Sequence, residues 1–168
     1  WRPDRDVPMA LRESGLSVID VQRHRVPTLQ WWLRQLVEGR GFEVTLNGKP
    51  IRVSSTDELG NSLLVTGFPY DIKHREEFAR HLTEFLLQSR GVRRDGSAAI
   101  DMAYVACGRF DGFWEEGLNP WDVAAGKLLI EEAGGIVSCY DGSPLSIYKP
   151  PIVASNGLIH NEMLGILR

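Results

Sequence analysis

The stretch EEGLNPWDVAAGKLLIEEAGG, Glu115 to Gly135, decides how the rest of the chain is read. Pro120 stops whatever precedes it, and Asp122 sits where a helix begins. Ala124, Ala125 and Gly126 are small enough for close approach to a neighbour, and Gly134-Gly135 ends the run. A carboxylate at a helix start is an ordinary cap or a ligand-binding group, and Asp122 alone leaves both readings open. Glu115 lies across a loop that contains Gly117 and Pro120, so both carboxylates can turn into one cleft at the end of a strand. Open α/β sheets place their ligands at such strand ends.

Upstream of this stretch, Ser97 opens a helix kept slim by Ala98, Ala99, Met102, Ala103 and Ala106, and Phe110 to Glu115 reads as a strand. Ser62 to Gly67 is a short apolar run suited to a sheet buried on both faces, and Gly91 to Arg94 is a brief strand. Between them, roughly from Lys73 to Ser89, Phe78, Leu82, Phe85 and Leu86 recur at helical spacing. His74 and His81 are two turns apart on that helix and lack the four-residue spacing of a zinc-binding helix, so both are expected to face solvent. Phe42 to Leu46, Asn47-Gly48 and Ile51 to Val53 read as a hairpin, because Asn-Gly supplies the positive φ angles of a tight turn.

Downstream, Ile136 to Tyr140 and Ile152 to Ser155 read as strands, and Leu158 to Leu167 as a closing amphipathic helix. Thr28 to Val37 carries a further helical pattern, with Trp31 and Trp32 on it. Residues 1 to 27 are broken by Pro3, Pro8 and Pro27 and hold at most a short element around Leu16 to Val21. Strands alternate with helices over most of the chain, which predicts a layered α/β sandwich with a mixed sheet.

Composition narrows the function classes. A hydrophobic share of 43% and a charged share of 24% are those of an ordinary globular protein. The net charge of -3 offers no broad basic field for nucleic acid and no polybasic anchor for a membrane, so neither partner is expected. A small anion held beside carboxylates would need a cation to neutralise the repulsion. Cys107 and Cys139 do not make a disulfide framework, which points to a reducing compartment, and no apolar run reaches the roughly 18 residues of a membrane span.

The segment GSAAIDMAYVACGRFDGFWEEGLNPWDVAAGKLLIEEAGG, Gly96 to Gly135, resembles the second signature region of the inositol monophosphatase family. LNGKPIRVS from Leu46, SLLVTGFPYD from Ser62 and IVASNGLIH from Ile152 resemble the same family in the same order. YVACGRFDGFWE is most similar to bacterial, cyanobacterial or plastid members, which implies a cytoplasmic protein or a plastid one. The resemblance implies magnesium-dependent hydrolysis of a phosphate monoester, with inositol 1-phosphate or a related polyol phosphate as substrate. It makes Asp122 the metal-binding, catalytic aspartate, Glu115 the acceptor of hydrogen bonds from substrate hydroxyls, and Ala98 a backbone contact to substrate. It assigns no role to Arg94 or Ser97, and Glu116, Glu131 and Glu132 read as solvated charges.

The family's upstream glutamate pair and DPxDGT motif are absent from this sequence. The expected organisation is therefore an unassigned segment over 1-38 and an inositol monophosphatase-like C-terminal half domain over 39-168. One carboxylate from a metal cluster binds magnesium weakly, so this chain is expected to be inactive alone. A sheet with an uncovered edge favours association, and a homodimer is the expected assembly. The competing reading is a catalytically dead half-domain that serves as a dimerisation or regulatory partner of a complete family member.

Overall fold

The computed structural model describes residues 16–19, 43–69, 71–148 and 151–168; the expected helix over Thr28 to Val37, with Trp31 and Trp32, lies outside them. The chain divides into two compact units, Trp1–Ile51 and Arg52–Arg168. In the first, β1 (Leu16–Ile19), β2 (Glu43–Leu46) and β3 (Lys49–Pro50) form an antiparallel sheet in that order. Asn47 (φ 53°) and Gly48 (φ 76°) make the tight turn between β2 and β3, as the Asn-Gly pair predicts. The second strand of the hairpin is Lys49–Pro50 and not Ile51 to Val53. Ile51 still donates its N–H to the Val44 carbonyl (3.0 Å), but Val53 donates to Ala133 (3.2 Å) at the end of a helix instead.

The second unit is built on a five-stranded sheet of order β5-β4-β6-β8-β7. Its strands are β4 (Leu63–Thr66), β5 (Gly91–Arg93), β6 (Gly112–Glu115), β7 (Ile136–Ser138) and β8 (Ile152–Ser155). β4 runs parallel to both β5 and β6, while β8 is antiparallel to β6 and β7. Four helices pack on it: α1 (Arg75–Gln88), α2 (Ala98–Ala106), α3 (Pro120–Glu132) and α4 (His160–Leu167). The sheet is therefore mixed, and the layered α/β sandwich expected from the alternation of strands and helices is what forms.

Residues alternate across the sheet. Leu64, Trp114 and Val153 share one face with Phe85 of α1 and Met163 of α4, in one apolar cluster. Phe85 and Trp114 stack with ring centroids 4.1 Å apart. Val65, Phe113 and Ala154, which pair in register and are fully buried, face the other way, where α2 and α3 pack on each other and on the strands. The buried side of α1 carries His81 and Phe85, with Leu82 packed against the same core. Leu86, expected on that side, is 55% exposed, and His81, expected in solvent, is 1% exposed. The apolar stripe is centred one residue earlier than the leucines suggest, so the imidazole takes the inward position, edge-on to Tyr140 (5.8 Å).

A polar clasp closes one end of the sheet. Asp111, just before β6, accepts from the Leu63 N–H (2.6 Å) and from Ser54 Oγ (2.5 Å). Asn156, just after β8, donates to Ser54 Oγ (3.0 Å) and to the Thr56 carbonyl (2.7 Å). Nearby, His160 bridges Ser138 Oγ and Ser155 Oγ, both at 2.9 Å. Ser138 Oγ already donates to the Cys139 carbonyl, and Ser155 Oγ already accepts from the Gly157 N–H. Nε2 therefore donates to Ser138 Oγ, and burial lowers the pKa of the ring, which favours the neutral tautomer that accepts at Nδ1.

The small residues of α3 do what their size predicts. A Cβ at Gly126 would stand 2.6 Å from Met102 Cβ and 2.7 Å from Met102 Sδ, so α2 and α3 touch because Gly126 has no side chain. In an ordinary helix interior, Gly→Ala stabilises by up to about 1 kcal/mol. Here overpacking of about 1–3 kcal/mol outweighs that gain, and Gly126→Ala is expected to lower Tm in a thermal melt. A higher Tm for the variant would show that the two helices can separate freely.

Candidate active site

The C-terminal ends of β4, β5 and β6 lie along one edge of the sheet because the three strands are parallel. Gly67 follows β4, Arg94 follows β5, and Glu115 is the last residue of β6. α2 and α3 start from the loops that leave β5 and β6. The edge therefore gathers the Arg94 and Glu115 side chains and the Gly67 backbone beside two helix N-termini, whose unpaired N–H groups and positive dipole ends favour anionic or oxygen-rich ligands.

Glu115 is 7% exposed. Its carboxyl occupies the space that a side chain on Gly67 would fill, so the backbone after β4 forms a cradle for it. Burial, then the nearby charges of Asp101 and Asp122, push its pKa up to about 7 despite the opposing effect of Arg94. A carboxyl that titrates near neutrality both accepts and donates hydrogen bonds, which suits the hydroxyls of a polyol. Ala98 is the first residue of α2, and its backbone N–H is one of those for which the helix has no acceptor; the first closing bond runs from Asp101 N–H to the Ser97 carbonyl (2.9 Å).

Asp122 is not the N-cap of α3. Asn119 is the cap residue, Pro120 opens the helix, and Asp122 stands at the third helical position. There its Oδ2 accepts from the Asn119 N–H (2.9 Å), the reciprocal half of a capping box. Arg94 lies over the Phe68 ring (5.0 Å to the centroid), which ties the loop after β5 to the loop after β4.

Asp101 is the group that the residue pattern did not single out. It sits in the first turn of α2, is fully buried, and neither carboxylate oxygen has a hydrogen-bond partner among the described residues. Burial first, then the charge of Asp95, push its pKa up to about 7, with Arg94 opposing. An acid in a first helical turn is so ordinary that it carries no signal; only the inward rotation of α2 makes this one unusual. Glu116 also departs from its expected place among solvated charges: it is half-buried and lies 3.6 Å from His74 Nδ1. Glu131 is surface-paired with Lys127 (2.5 Å).

The residues around Asp122 do not by themselves compose a magnesium cage. Magnesium requires near-octahedral oxygen ligands. Among the described residues the one trio of His, Cys, Asp or Glu side chains with ligand atoms within 4.8 Å of each other is elsewhere, and Asp122 is not in it. Asp122 fits such an ion as one ligand. No helix among the described residues is long and apolar enough to cross a membrane.

Comparison with known proteins places this geometry. A model of the inositol monophosphatase family matches residues 32–168. An inositol-1-monophosphatase of Synechocystis is 54% identical over 126 residues, covering 71% of this chain and 42% of that protein. The chloroplastic phosphatase IMPL1 of Arabidopsis thaliana is 42% identical over 137 residues, covering 80% of this chain and 36% of that protein. The solved structure of inositol monophosphatase from Anabaena superposes with a TM-score of 0.71 at 50% identity, over 74% of this chain and 50% of that one. The chain thus spans half or less of the length of these three relatives.

The buried carboxyl of Asp101 makes stability depend on pH. Its folded pKa lies above its unfolded value, so its contribution is fully present below about pH 4 and is lost as pH rises toward 7. Asp101→Asn removes the charge that must be buried. The variant is expected to match the parent in urea unfolding at pH 4 and to exceed it by on the order of 4 kcal/mol at pH 8. Equal stability at pH 8 would mean that the carboxylate is solvated or paired when it ionises.

Proposed function

This chain belongs to the inositol monophosphatase family, and from that premise we propose that it carries the substrate-binding half of a magnesium-dependent phosphomonoesterase acting on inositol phosphate or a related polyol phosphate. The observation that carries the reading is the convergence of Glu115, Asp122 and the N-terminus of α2 at the carboxyl edge of β4, β5 and β6. Glu115, held against Gly67, orients the substrate through its hydroxyls. The Ala98 N–H supplies a backbone donor. Asp122 contributes one negative oxygen to a metal that is completed by groups outside the described residues; when bound, that metal neutralises the phosphate and lowers the pKa of a water.

Electrostatics support a cation requirement. Among the described residues, a phosphate ester at this edge meets the carboxyls of Asp101, Glu115 and Asp122 against the Arg94 guanidinium, so the bare site repels its own substrate. The proposed partners are a small phosphate ester and a second copy of the chain, with β5 and β7 as the edge strands of the sheet. A cytoplasmic or plastid location is proposed on the chloroplastic relative. The second reading, a non-catalytic partner of a complete family member, is favoured by the lack of a carboxylate trio around Asp122 among the described residues.

Phosphate release from inositol 1-phosphate, with and without magnesium, separates the two. On the catalytic reading Asp122→Asn lowers kcat/KM by about 100-fold, close to 2.7 kcal/mol of transition-state stabilisation. Glu115→Gln raises KM for polyol phosphates by about tenfold and leaves turnover of an aryl phosphate, which has no hydroxyls, unchanged. No magnesium-dependent release from any ester selects the second reading. Release that Asp122→Asn does not alter would remove Asp122 from the site.

A further inference from the structure

A separate cluster sits where α1 begins and β6 ends. His74 is the last residue of the 3-10 turn Ile72–His74 and caps α1, Glu77 is in the first turn of α1, and Glu116 directly follows β6. One ligand atom from each lies within 4.8 Å of the other two. The geometry points to a zinc-class transition-metal site formed by His74, Glu77 and Glu116, distinct from the magnesium position assigned to Asp122 and independent of the phosphatase reading.

Three features of the cluster carry this assignment. First, the donor set mixes an imidazole nitrogen with two carboxylates, the combination used by open zinc sites, whereas an oxygen-only cluster would suit magnesium or calcium. Second, the spacing fits. Ligands bound at about 2.1 Å in a tetrahedron are roughly 3.4 Å apart. His74 Nδ1 and Glu116 Oε2 already stand 3.6 Å apart, and the Glu77 ligand atom lies within 4.8 Å of both. Third, the ligands come from two elements and not from one helix turn. An ion pair accounts for His74 and Glu116, and the helix start favours Glu77, which brings a second carboxylate beside Glu116. A divalent cation offsets the repulsion between the two carboxylates.

The site would be open. His74 and Glu77 are exposed and Glu116 is half-buried, so three protein ligands leave a fourth position for water. A bound ion would tie the start of α1 to the end of β6, the strand that holds Glu115 one residue away.

Zinc titration of the full chain by calorimetry tests the assignment, with cobalt absorption to report the ligand type. The expected result is one ion of micromolar affinity, a raised Tm, and a cobalt spectrum without the thiolate charge-transfer band that Cys107 or Cys139 would produce. His74→Ala and Glu116→Gln should each weaken binding by at least about tenfold and cancel the Tm rise. Asp122→Asn should leave both unchanged even if it abolishes phosphatase activity, so failure here and failure of the phosphatase reading are told apart. No binding at 100-fold molar excess of zinc, or binding that His74→Ala leaves intact, would overturn the site; the cluster would then be the His74–Glu116 ion pair alone.

Discussion

Parallel pairing of β4 with β5 and β6 brings three strand ends to one edge of the sheet, and the remaining features of the site depend on that arrangement. A parallel strand cannot return through a tight turn, so the chain must cross over by a helix each time. α1 is the crossover between β4 and β5, and α2 the one between β5 and β6. The loops before α2 and after β6 then open at the same edge, with Gly67, Arg94 and Glu115 side by side. The Thr66 hydroxyl donates to the Trp114 carbonyl (2.6 Å), which fastens β4 to β6 just below the site. At the opposite end, Asp111, Ser54 and Asn156 satisfy the backbone and side-chain groups that the strand starts leave open.

This edge trades stability for chemistry. Asp101 and Glu115 are buried carboxyls with pKa values pushed up to about 7, and burial is the leading cause for each. A polar core optimised for folding would pair them or replace them with apolar groups. Leaving them unpaired beside two helix N-termini keeps negative charge ready for a cation and keeps hydrogen-bonding capacity ready for hydroxyls. The apolar cluster of Leu64, Phe85, Trp114, Val153 and Met163 sits on one face of the same strands and supplies the burial that tolerates this arrangement.

Much of the architecture was legible because the local signals were strong. Ile152 to Ser155 is a strand with the boundaries its apolar run implies, and Asn47-Gly48 makes the predicted turn. Gly126 allows the close helix contact that its size suggests. The errors on α1 share one cause. His81 is buried and Leu86 is exposed because the rotation of a helix about its axis is set by what it packs against. Composition of the helix does not encode that rotation when polar and apolar residues compete for the inward side. Asp101 illustrates the same limit: its chain neighbours make it an unremarkable first-turn acid, and only the tertiary fold buries it.

Residue pattern alone determined the order of strands and helices, the family resemblance, and Glu115, Asp122 and Ala98 as candidate site residues, since these follow from local periodicity, turn chemistry and a motif carried in consecutive residues. Tertiary structure decided which strands run parallel, that Gly67 cradles Glu115, that Asp101 lacks a partner among the described residues, and that His74 and Glu77 meet Glu116. Those are contacts between residues tens of positions apart. Long-range packing sets them, and no stretch of chain specifies such a contact by itself.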